Sequence, residues 1–328
     1  MLFRALLTRA FILVVLASTV VEIAPANAQT YPSKTIKLVV PFGPGGPTDL
    51  SARLVSQILQ SALGQNVVIE NRPGAGGATG TKSVATADPD GYTLLIGTSA
   101  TLGVVPALVK NAGYDPIGSF AAVAKVSDST TILIVPPNFP ANSVRELVAY
   151  AKANPGKLSY ASAGAGNQTQ LAAELLLARA GIKAVHVPYK SGAEMVTAVL
   201  SEQVQMTFPD ISILLPLIQD KKVKALAVTS AARDPQLPDV PTMAESGIPD
   251  YVTTFWTGVV APAGTPTDIV GKLNAAIADG LRSPQVRDTM VKVGSQPAPG
   301  SPRDFANFIA AEKQKWHAIA KTAGLSAE

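Results

Sequence analysis

Apolar positions along this chain switch repeatedly between two patterns, short unbroken runs and spacings of three and four. The runs at 36–40, 67–70 and 93–97 read as strands, and 51–63 between the first two carries Leu54, Val55, Ile58, Leu59 and Ala62 at helical spacing. A glycine-rich loop at 73–80 leads into a helix at 82–87. The run at 131–135 ends in Pro136-Pro137, and 143–153 reads as a helix with Ser143 as cap and Glu146 three residues on. A second series follows: strands at 158–161, 185–187, 205–208 and 225–229, helices at 168–180 and 193–200, and an apolar segment at 211–218. Beyond a proline-rich stretch at 235–249 come a strand at 256–260, a helix at 267–281 and a final helix at 304–322.

Strands alternating with helices predict an α/β fold with parallel sheets, and some 300 residues exceed what one core usually organises. The expectation is two doubly wound lobes. Residues 29–129 and 252–328 would form a discontinuous first lobe and 130–251 the second, with connections near 126–131 and 251–255 as a two-strand hinge.

The start of the chain reads as an address. Arg4 and Arg9 precede an apolar stretch at 10–21, and Ala26-Asn27-Ala28 offers small residues for cleavage after Ala28, so residues 1–28 are expected to be an export signal and the mature protein periplasmic. No later stretch is apolar long enough to span a membrane. With no cysteine, disulfides, thiolate zinc sites and a cysteine nucleophile are excluded. The formal charge of +4 is mild and no basic run is interleaved with aromatics, which argues against nucleic acid and suits an anionic small ligand.

In open α/β sheets ligands bind beyond the carboxyl ends of strands. Two loops there stand out, PFGPGGPTD (41–49) and SAGAGNQT (162–169), each joining a strand to a helix start. The first N–H groups of a helix lack internal partners and lie at the positive end of its dipole, so a carboxylate can accept several hydrogen bonds there. Thr48, Asn167 and Thr169 add side-chain donors, unless Thr48 or Asn167 is spent on capping, the latter with Gln170. Asp49 is either a capping carboxylate or an acceptor for a ligand hydroxyl or amine or for the loop backbone, and Asp210 poses the same choice. The loop NRPGAGGATG (71–80) fits neither nucleotide template and reads as structural. Ser162 sits on a strand-to-helix turn like a hydrolase nucleophile but lacks the glycine two residues before it. His186, in an apolar strand, and His317, on the last helix, are poor candidate bases and offer no metal cluster.

Several longer segments, YPSKTIKLVVPFGPGGPTDLSAR (31–53), VIENRPGAGG (68–77), ADPDGYTLLIGT (87–98), NPGKLSYASAGAG (154–166), HVPYKSG (186–192), LPDVPTMAESGIP (237–249) and APAGTP (261–266), resemble the solute receptors of tripartite tricarboxylate transporters, the TctC or Bug type. The resemblance implies a type II, Venus-flytrap periplasmic binding protein without catalysis, cofactor or metal. It implies a monomer that takes a small organic acid and delivers it to membrane transporter subunits. Carried over by motif, the ligand-binding candidates are Phe42, Gly46, Thr48 and Asp49 in the first loop and Ser162, Gly164, Gly166, Asn167 and Thr169 in the second, with Thr98, Tyr189 and Asp210 beside them. The sequence departs from the family pattern at Gln170, where histidine is frequent, at Ser191, where glycine is usual, and at Pro209, where the usual aspartate gives way and Asp210 follows. A sensory ligand-binding protein would share fold and site, and a secreted serine hydrolase would use Ser162.

Overall fold

Parallel pairing organises one half of the first sheet, and long antiparallel strands organise the other. In the computed structural model, which describes residues 31–164, 167–322 and 324–325, β1 (Ile36–Val40) pairs in parallel with β2 (Val67–Asn71) and β3 (Thr93–Thr98). Four of the five β1 residues are buried, as expected for a strand covered on both faces. The long β4 (Phe120–Thr130) and β9 (Thr254–Pro262) run antiparallel to each other, and β10 (Ser295–Pro297) pairs with β4. The order is β10-β4-β9-β3-β1-β2. Where the strand-helix alternation leads to the expectation of parallel sheets, this sheet is mixed. Strand β4 escapes the sequence pattern because register shifts at Ala122/Ala124 and Lys125/Ser127 break the two-residue period.

The second sheet combines an antiparallel pair, β5 (Ile132–Val135) with β8 (Lys224–Val228), and a parallel pair, β6 (Ser159–Ser162) with β7 (Val185–Pro188). The expected strand at 205–208 survives only as bridges, Ile134 to Thr207 and Tyr160 to Met206, which join the two pairs. Pairing with the β5 segment continues past Pro209, whose carbonyl accepts from Ile132 N–H, to a bridge between Thr131 and Asp210.

Helices flank both sheets. They are α1 (Pro47–Leu63), α2 (Ala78–Ala85), a π-helical turn (Ala100–Val104) running into α3 (Val105–Leu108), α4 (Val144–Ala153), α5 (Gln168–Ala180), α6 (Gly192–Leu200), α7 (Leu215–Gln219), α8 (Thr267–Arg282), α9 (Pro284–Lys292) and α10 (Pro302–Thr322). Helix α1 starts four residues ahead of the first apolar repeat because Pro47 occupies its first turn, and it ends at Gly64, whose left-handed φ of 68° lets its N–H reach Gln60 O. Helix α4 has the expected Ser143 cap on Glu146 N–H.

The chain crosses between the sheets at two points, Thr131 between β4 and β5, and Thr253 before β9. Thr229 ties them together: its N–H donates to Thr131 O, its hydroxyl to Thr253 O, and Thr253 N–H donates to Thr229 O. Helix α10 starts on the first sheet, where Phe305 and Ile309 pack with Trp256 and Val260. Its far end joins Trp316 and Ala320 to Val104 and Ala107 and to Leu171 of α5, so it touches elements of both halves. Glu312 is buried and accepts from both Trp256 Nε1 at 2.8 Å and Trp316 Nε1 at 2.9 Å. Lys34–Glu328 thereby form one compact unit. No helix of the described residues is long and apolar enough to cross a membrane. The predicted export signal lies outside the described residues.

A candidate ligand-binding cavity at the strand ends

The loops leaving the carboxyl ends of β1, β2, β3, β6 and β7 converge on one cavity of about 540 Å³. Phe42, Gly46 and Thr48 come from the first predicted loop and Gly164, Asn167 and Thr169 from the second, with Tyr189 and Asp210 also on the wall. Thr131 and Phe255, at the crossings, close the wall between the sheets. The charged groups on the wall are Lys190 and Asp210, so an anion here would rely on N–H groups as well as on the one ammonium.

Helix α1 points its start at the cavity, and its N-cap is Gly46, with no side chain to occupy the first N–H groups. Those donors and the positive end of a 17-residue helix are the strongest anion-binding feature of the wall. Thr48 does not cap. At α5, Asn167 Oδ1 accepts from Thr169 N–H at 3.0 Å, so the predicted capping occurs through Thr169 rather than Gln170. Thr169 Oγ1 accepts from Ala163 N–H at 2.9 Å, which folds the loop back on itself. Gly164, with φ at 120°, takes a turn that a side chain would strain. Helix α6 begins with a capping box in which Ser191 Oγ accepts from Glu194 N–H and Glu194 accepts from Lys190 N–H.

Three predicted site residues stand off the wall. Asp49 is 1% exposed, and its carboxylate accepts from Gly45 N–H at 3.1 Å, Arg53 Nε at 2.9 Å and Asn71 Nδ2 at 3.1 Å. Burial alone would raise its pKa, but these donors hold the carboxyl below the usual range. It organises the loop backbone instead of facing a ligand. Thr98 is buried, its N–H donating to Thr101 Oγ1. Ser162 is buried too, with its Oγ 2.6 Å from His186 Nε2 and accepting from Gly164 N–H. The two meet because β6 and β7 pair in register, Tyr160 beside His186, a proximity that the sequence reading of His186 missed. Desolvation holds the His186 imidazole below its usual pKa, and the ring stacks on Tyr160. Gly166 lies outside the described residues.

The loop 73–77, expected to be structural, also lines the cavity. Gly77, at φ 95°, permits this: a Cβ there would come within 2.6 Å of Thr101 and 3.0 Å of the Phe42 ring. Ala100, Gln168, Lys190, Ser191, Gly192, Met195 and Ile213 are further wall residues that sequence reasoning left out. The signal for the Lys190–Gly192 group was its position just after β7. Among the described residues no cluster of ligating side chains could hold a metal ion.

The model of the tripartite tricarboxylate transporter family receptor matches residues 51–325. The chain belongs to this family. It is 37% identical over 302 residues to protein BugT of Bordetella pertussis, covering 92% of this chain and 93% of the relative. A Rhodopseudomonas palustris protein solved with adipate superposes with a TM-score of 0.85 at 36% identity, covering 90% of this chain and 99% of that one. MatC of R. palustris, solved with bound malate, superposes with a TM-score of 0.82 at 34% identity, covering 88% and 99%. The fold is that of the type II periplasmic binding proteins, and this TctC-family chain has the architecture of a solute-binding receptor.

Proposed function

We propose that this TctC-family receptor is exported, loses residues 1–28 and encloses one small organic carboxylate in the cavity at the strand ends. It then presents the ligand to membrane subunits of a tripartite tricarboxylate-type transporter. The observation that carries this reading is the uncapped start of α1 opening onto a cavity walled by loops of both sheets. Relatives of the same fold hold adipate and malate. In this reading residues 29–129 with 252–328 form one lobe and 130–251 the other, and the threonine cluster at 131, 229 and 253 is the hinge about which they close.

The reading is tested by a thermal-shift screen of the mature protein against organic acids. A ligand at 100 times its dissociation constant adds about 2.7 kcal/mol of stability. A panel of mono-, di- and tricarboxylates without any shift would overturn it.

The Ser162–His186 contact gives the hydrolase reading one favourable distance. Against it, Ser162 is fully buried off the cavity wall and its hydroxyl is engaged with Gly164. We expect no Ser162-dependent turnover of an ester panel and no labelling by a fluorophosphonate probe. Labelling that disappears in Ser162→Ala would establish an enzyme.

A further inference from the structure

Three polar groups surround Ser162 Oγ, which has one hydrogen to give. His186 Nε2 lies 2.6 Å away, Gly164 O 3.0 Å and Gly164 N 3.2 Å. The Gly164 N–H can only donate and the Gly164 carbonyl can only accept, so the tautomer of His186 decides whether all three contacts are bonds. With a bare Nε2 the serine hydrogen goes to the imidazole, and Gly164 O then faces the serine oxygen with no hydrogen between them. With a hydrogen on Nε2 the ring donates to Ser162 Oγ, the serine hydrogen turns to Gly164 O, and every contact is satisfied. Ser162 is fully buried, where an unmade bond is costly. Burial also holds the His186 pKa down, so near about pH 7 it is the neutral ring that makes this choice. Tyr160 of β6 stacks on the ring and gives its hydroxyl hydrogen to Glu174 of α5 at 2.5 Å, so neither group engages Nε2.

The backbone that this hydrogen reaches belongs to the cavity wall. Gly164 O accepts a second bond, from Asn167 N–H at 3.2 Å, and Tyr189 N–H donates to Ser162 O at 2.8 Å. Gly164, Asn167 and Tyr189 all line the cavity, whereas Ser162 and His186 stand behind it.

Building on the receptor reading, we propose that His186 is a positioning residue whose Nε2–H donates to Ser162 Oγ, which sends its own hydrogen to Gly164 O and so fixes the second loop in the shape that receives a ligand. The same tautomer puts a hydrogen where a catalytic base needs a lone pair. The short Ser162–His186 distance therefore serves the geometry of the loop and does not activate a nucleophile.

The tautomer is read from the ¹⁵N shifts of the imidazole nitrogens in the mature full chain at about pH 8, where the ring is neutral. The chain has two histidines, so the signals that vanish in His186→Gln belong to His186. The expected spectrum has a hydrogen on Nε2 and a bare Nδ1. A bare Nε2 would overturn the assignment and leave the receptor reading standing. Positioning is read by calorimetric titration with malate, adipate and citrate. For whichever of the three binds best, His186→Leu should weaken binding at least about tenfold, and His186→Gln, whose carboxamide can donate to Ser162, should recover most of that loss. Once Ser162 is replaced by alanine, His186→Leu should cost less than about a further twofold, because the two residues act through one bond. Should His186→Leu be insoluble, His186→Phe takes its place, and Ser162→Ala alone should show the tenfold loss. A loss that Gln does not recover, or that persists undiminished beside Ser162→Ala, would make His186 a packing residue and overturn the proposal. A protein that binds none of the three acids would overturn the carboxylate-receptor reading, and the proposed role with it.

Discussion

Burial shifts the pKa values of His186 and Asp210 in opposite directions, and each shift can be read against pH. Desolvation lowers the pKa of His186 from 6.5, so on acidification the unfolded chain takes up a proton that the folded protein refuses. Stability should therefore fall below about pH 6.5, and urea titrations of His186→Gln should show a shallower fall than wild type. A slope identical in the two proteins would contradict the assignment. For Asp210 desolvation raises the pKa from 3.8, outweighing the nearby Ser129 and Ser212. Above that value the unfolded chain releases a proton that the folded protein retains, so raising the pH costs stability. Asp210→Asn should melt above wild type near about pH 7, with the gain shrinking near about pH 3.5, where both states of Asp210 are largely protonated. A lower melting temperature for the variant at neutral pH would count against a strained, buried acid. The sequence could not separate Asp49 from Asp210, since both follow strand ends. Arg53 lies four residues on in the same helix, but only the fold brings Asn71 to Asp49 and buries Asp210 enough to raise its pKa.

Among the elements, those with strong local signals were legible: the apolar runs of β1 and β3, the Ser143 cap of α4, the glycines ahead of α1 and α5. The start of α1 was read late because its first turn, Pro47-Thr48-Asp49, contains no apolar repeat, although proline followed by an acidic residue is itself a helix-start signal. Strand β4 was hidden by its bulges, and the 205–208 strand forms only isolated bridges to its neighbours. The loop 73–77 was assigned to structure alone because its glycines fit no nucleotide template, yet their backbone brings it against Phe42. Gly77→Ala should therefore destabilise the protein by about 1 to 3 kcal/mol through its left-handed φ and contact with Thr101. It should also weaken ligand binding by displacing the Phe42 ring. Unchanged stability in urea would show that the loop adapts and that the close approach has no consequence.

For the molecule as a whole, the alternation of elements anticipated an α/β fold and the resemblance of its motifs a binding protein, while the antiparallel half of the first sheet and the reach of α10 across to α5 depend on contacts far apart in sequence. In the proposed reading the mature protein should begin at Gln29, and an intact mass that includes residues 1–28 in periplasmic material would contradict the cleavage site. Closure about Thr131, Thr229 and Thr253 should make the ligand-bound protein more compact in solution, and superimposable scattering curves with and without saturating acid would contradict it. In the proposed receptor the anion is held at the uncapped start of α1 inside the cavity. Gly46 has an extended backbone, at φ −88° and ψ 174°, and open space around a Cβ, so Gly46→Asp can cap α1 without strain. The deciding measurement is a calorimetric titration of wild type and Gly46→Asp with the best-binding acid from the thermal-shift screen. The wild type should show one site and the variant at least about tenfold weaker binding, with no loss of melting temperature, because the new carboxylate takes the donors and repels the ligand. Equal affinity in the two proteins would contradict it.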